Sequence, residues 1–97
     1  MPTTLLDDAI AQAQARRELP GPAEARRLRQ RAGLTQQQIA EAIGVSRFAV
    51  CHWEAGVRQP RGPAARLYLA VLRRLVAEHE RQGRSRVGER DEEKVVA

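Results

Sequence analysis

This chain has one cysteine, one lysine and no asparagine, and only three of its 97 residues are aromatic. A single cysteine cannot build an internal disulfide framework, which fits a reducing compartment. No apolar run approaches the ~20 residues that a membrane-spanning helix needs. The N-terminus carries Asp7 and Asp8 rather than the basic start and apolar stretch of a signal peptide, so a cytoplasmic chain is expected. No stretch alternates apolar and polar residues for long enough to make a strand, which excludes a sheet and leaves helices. A chain of this length holds one domain with one modest core.

What is present is arginine, and it is unevenly placed. Residues 20–74 hold ten arginines against Glu24, Glu41 and Glu54, an excess of seven positive charges. The flanking segments, 1–19 and 75–97, each carry one net negative charge, giving the overall +5. Clustered arginine in a small domain suits either a solubilising surface or a surface for a polyanion.

Punctuation divides the chain. Leu5, Leu6, Ala9, Ile10 and Ala13 form an apolar stripe on a first helix that "ELPGP" ends at residues 18–22. A second helix opens near Pro22 and stops at Gly33, with Ala25, Leu28 and Ala32 on one face. "TQQQ" at 35–38 is a capping-box pattern with Thr35 as N-cap, and the short helix it starts stops at Gly44. Ser46 caps the next helix, which ends at Gly56. A longer helix from Pro63 turns Ala64, Leu67, Tyr68, Val71, Leu72 and Leu75 inward, sets Arg66, Arg73 and Arg74 outward, and fades by Gly83. The expected organisation is an N-terminal helix over 1–19 for dimerisation or packing, a domain over 20–82, and a charged, disordered tail over 83–97.

"VSRFAVCHWEAG", residues 45–56, gathers the only Phe, Cys and Trp with one of the two His. On a helix, Arg47, Phe48, Cys51 and His52 fall within an arc of about 140°, while Ala49, Val50 and Trp53 take the other side. Val50 and Trp53 anchor the helix in a core, and the first group faces outward. Cys51 and His52 are sequence neighbours, which do not face each other on a helix, and no third member or oxyanion loop accompanies them. The only other histidine, His79, lies on a different helix, so no zinc set is assembled. The sequence therefore offers no catalytic residue, no metal ligand and no cofactor site, leaving contact with a partner.

Residues 36–55 hold two short helices joined by a turn too tight for parallel or closely antiparallel packing. Ile39, Ala40, Ile43, Gly44, Val50 and Trp53 form the core of the motif: Ala40 admits the second helix, Gly44 makes the turn, and Val50 and Trp53 lock the pair. With "LRQRAGLTQQQIA", "IGVSRFAV" and "WEAGVRQP", residues 23–75 resemble the DNA-binding helix-turn-helix of the phage Cro/repressor family. That resemblance implies an all-α fold, a compact four- to five-helix bundle of the lambda-repressor-like type, with a helix-turn-helix over 36–55 and a recognition helix over 46–55 entering the major groove.

It also implies roles for single residues. Arg47, Phe48, Cys51 and His52 match base-contacting positions: Arg47 suits guanine O6 and N7, Phe48 and Cys51 suit thymine methyl groups, and His52 either donates or accepts. Family members often carry polar amides there, so this face is unusually apolar. Gln36, Ser46, Arg58 and Arg61 match positions that contact the DNA backbone, which orient but do not specify. Arg29 and Glu54 match a structural ion pair. The implied partner is a double-stranded DNA operator, bound by a homodimer in a bacterial cell or phage-infected host. The dimer surface is open between the Leu5–Ala13 stripe and the far end of the 63–82 helix, and the stripe could equally pack on its own domain. Two other functions share these features: an antitoxin that autoregulates its operon and holds a toxin partner, and an architectural or excision protein that bends DNA.

Overall fold

The computed structural model describes the backbone of residues 2–96 and the side chains of residues 4–83. Five helices follow one another: α1 (Pro2–Glu18), α2 (Pro22–Arg31), α3 (Gln36–Ile43), α4 (Arg47–Ala55) and α5 (Pro63–Val96), with no strand among the described residues. The all-α expectation holds.

The starts of α3 and α4 have local causes. At α3 the Thr35 hydroxyl accepts from the Gln38 N–H at 3.0 Å, and the Thr35 N–H donates to Gln38 Oε1 at 2.8 Å, so two otherwise orphaned donors are satisfied. At α4 the Ser46 hydroxyl accepts from the Ala49 N–H at 3.2 Å. Gly44 ends α3 in the left-handed region at φ 86°, and the Gly44 and Val45 N–H groups both donate to the Ala40 carbonyl. Three residues separate α3 from α4, and the reversal depends on that glycine conformation.

The main core is built from four helices. Ala25 and Leu28 of α2, Ile39, Ala40 and Ile43 of α3, Val50 and Trp53 of α4, and Tyr68, Leu72 and Leu75 of α5 are buried together. Ala40 and Val50 are completely buried where α3 meets α4. The Trp53 and Tyr68 rings lie 4.8 Å apart, tilted by 44°, a geometry that contributes about 0.5–1.5 kcal/mol beyond area burial.

α1 attaches through a second, smaller cluster, in which Ala15 packs against Ala65 and Leu69 of α5; Leu19 touches both clusters. The structure corrects three readings of the sequence. Leu5, Leu6 and Ile10 are exposed, so the apolar stripe does not pack on its own domain; a small-residue contact at Ala15, on another side of the helix, holds it instead. Leu67 is exposed while Ala65 and Leu69 are buried, because α5 is covered from two sides and its buried arc extends toward α1. Ala32 is exposed because α2 has ended one residue earlier.

α5 also continues past Gly83 to Val96, where a disordered tail was expected. No proline follows Pro63, and the arginines and glutamates of 84–94 are good helix formers. Gly83 and Gly88 each oppose that tendency by only about 1 kcal/mol.

Candidate nucleic-acid interface

α4 is two-faced. Val50, Trp53 and Glu54 are buried. On the other side Arg47 is exposed, Phe48 is 66% exposed, and Cys51 and His52 are half-buried. The Arg47 guanidinium carbon stands 5.3 Å from the Phe48 ring centroid, a cation–π arrangement that the one-residue spacing gave no reason to expect.

The four outward residues do not form one flat face. Phe48 and His52 line an open cleft of about 1130 Å³, whereas Arg47 and Cys51 lie outside it. Arg58 and Arg61 enter the cleft from the loop after α4, and Ser46 lies at the helix start. The Ser46 hydroxyl is already engaged as the helix cap. Arg16 of α1 also lines the cleft, and nothing in the helical pattern singled it out. Its only signal was the basic last turn of α1, Arg16 and Arg17.

Behind α4 lies a polar network. Arg29 grips Glu54 with two hydrogen bonds, Nε to Oε2 at 2.7 Å and Nη2 to Oε1 at 2.9 Å, and its third donor meets the Leu34 carbonyl at 2.8 Å. The Gln36 amide donates to Glu54 Oε1 at 3.1 Å. A buried carboxylate is costly unless paired and hydrogen-bonded, and here three donors satisfy it. The bond to Glu54 raises the Arg29 pKa above its usual value, against the lowering effect of burial. The network joins α2, the start of α3 and the end of α4, so it sets the angle at which α4 is presented. Gln36 is thus half-buried with its side chain turned inward.

Tyr68 approaches the same network. Its hydroxyl is buried without a hydrogen-bond partner among the described residues. Burial, reinforced by the charge of Glu54 and opposed by Arg29, pushes its phenol up to about 12.

Among the described residues, no group of three His, Cys, Asp or Glu side chains converges as a metal set would, and no helix is long and apolar enough to cross a membrane. No curated protein and no solved structure matches the chain. The family model of the helix-turn-helix domain matches residues 23–82, well over half of the chain and the whole span from α2 to the middle of α5. With two short helices joined at Gly44, and the second carrying one buried and one exposed side, the chain belongs to the helix-turn-helix domain family.

Proposed function

We propose that this chain is a sequence-specific transcriptional regulator of the phage repressor or Cro-like type, binding a palindromic operator as a homodimer. The observation that carries the reading is the split of α4: Val50, Trp53 and Glu54 fix it to the domain, and Arg47, Phe48, Cys51 and His52 are left toward solvent. A major groove admits one such helix and presents a distinct pattern for each base pair. Arg47 donates to guanine O6 and N7, Phe48 and Cys51 pack on thymine methyl groups, and His52 bonds a further base edge. Arg58 and Arg61 hold the backbone. The Gln36 side chain is engaged with Glu54, so its backbone contact is made through the N–H at the start of α3, where the helix dipole favours phosphate.

One recognition helix covers one half-site, and a two-fold operator calls for two chains. The exposed Leu5, Leu6 and Ile10 of α1 supply an apolar surface for that association.

Selection of binding sites from a random-sequence DNA library tests the reading. The expected product is an inverted repeat with half-sites about one helical turn apart. Arg47→Ala should flatten the preference at one base pair per half-site by about 1–3 kcal/mol and leave the melting curve unchanged. Salt-dependent binding with no enriched sequence would replace the regulator by an architectural protein. Absence of DNA binding would move the positive surface to a protein partner and remove the regulator and the antitoxin readings together.

A further inference from the structure

The helix-turn-helix match begins at residue 23, yet α1, which precedes it, contributes a side chain to the cleft beside α4. Arg16 enters that cleft from the last turn of α1, and Arg58 and Arg61 enter it from the loop after α4. No Asp or Glu lines it. All three arginines are exposed, and none has an ion-pair partner among the described residues. Like charges around one opening repel one another, and an anion placed between them relieves the repulsion.

Arg16 is also held in place. Its neighbour Ala15 is buried against Ala65 and Leu69, and Glu18, half a turn on, lies 2.7 Å from Arg73 of α5. The last turn of α1 is therefore pinned to α5 on both sides of Arg16. Arg17 is the natural contrast: the same residue type, also exposed, one position on and outside the cleft.

Resting on the DNA-binding reading above, we infer that Arg16 contacts a DNA phosphate. The backbone strand beside the half-site runs through the cleft under Arg16, Arg58 and Arg61, and α1 extends the DNA-binding surface beyond the helix-turn-helix domain. A guanidinium presents a fork of N–H donors to phosphate oxygens, and such contacts add affinity without reading sequence.

The test is binding of the full chain to a mixed-sequence DNA duplex over a range of salt concentrations. Arg16→Ala is expected to weaken binding on the order of tenfold at low salt, and to shallow the plot of log affinity against log salt by about 0.9 per chain, the value of one phosphate contact. Arg17→Ala should leave the slope unchanged, and Arg16→Lys should retain it because the cation is kept. Arg16→Gln, which preserves most of the side chain, is the second variant should the alanine form melt early. If Arg16→Ala and Arg16→Gln bind like the parent while Arg58→Ala is weakened, the assignment of Arg16 is overturned and DNA binding stands. If the parent chain binds no duplex at all, both fall together.

Discussion

Two ion pairs of the same length hold two different regions of this molecule. Arg29 and Glu54 meet at 2.7 Å behind α4, and Arg73 and Glu18 meet at 2.7 Å where α1 lies on α5. Their surroundings differ. The side chains of the first pair are 12% and 3% exposed, and those of the second 64% and 56%. In the first region water is excluded, and the carboxylate depends on its protein donors. In the second, each charge is solvated whether or not its partner is present. Distance does not rank the two pairs; desolvation does. The consequence is a division of labour. The angle of α4 is set by interactions that are costly to break, while α1 is held by a small apolar contact with a surface pair beside it.

The sharpest way to break this comparison is Glu54→Ala. It strands the Arg29 guanidinium with the Leu34 carbonyl as its only remaining protein acceptor and removes the partner of Gln36. Removal of one member of a buried pair costs about 3–5 kcal/mol. A domain of this size has a total stability of about 5–15 kcal/mol, so the urea midpoint and melting temperature should drop steeply. A loss below about 1 kcal/mol would put the pair on the footing of a surface contact and remove it as the device that fixes α4.

The next effect sharpens the comparison within the buried region. Tyr68 is 4% exposed and its phenol is raised to about 12, from an unfolded value of about 10. Below about pH 10 the phenol is neutral in both states and stability is unaffected. As pH rises from about 10 to 12, the unfolded chain loses the proton first, the unfolded state is favoured, and stability falls. The loss should reach about 2 kcal/mol near pH 11.5. Thermal melts of the parent and of Tyr68→Phe should therefore diverge over this window, with the phenylalanine variant the more stable. Parallel curves would show that Tyr68 ionises as freely in the folded protein as in the unfolded chain.

The regions also differ in how far the sequence discloses them. The Thr35–Gln38 capping box spans four residues and the two sides of α4 repeat within a few turns, so short-range spacing is enough to expose both. Arg29 and Glu54 are 25 residues apart and came only from a family resemblance. The Gln36 bond to Glu54, across 18 residues, was not legible at all, because a glutamine at a helix start suits solvent as well as a buried partner. The α1–α5 contact was hidden for another reason. Leu5, Leu6, Ala9, Ile10 and Ala13 give the stronger hydrophobic pattern, yet the helix docks through Ala15, whose small size permits close approach without adding much hydrophobicity. The misplacement of Leu67 and the omission of Ala65 and Leu69 from the inward set follow from that, since the buried arc of α5 cannot be known until α1 is placed. Arg16 could not be assigned to the cleft for the same reason.

The smallest expected effect tests the weaker side of the comparison. Glu18→Ala removes the partner of Arg73, leaves an arginine that is already 64% exposed, and should lower stability by no more than about 1 kcal/mol. Salt gives an internal check. Exposed charges are screened over about 10 Å at 0.1 M and about 3 Å at 1 M ionic strength, so whatever difference exists should shrink as salt rises. The prediction concerns α1 as much as the pair, because Ala15 remains packed on Ala65 and Leu69 when Glu18 is cut back. A loss of several kcal/mol that persists in high salt would mean that α1 depends on Glu18. The contact between α1 and α5 would then resemble the buried network behind α4, and the contrast between the two regions would disappear.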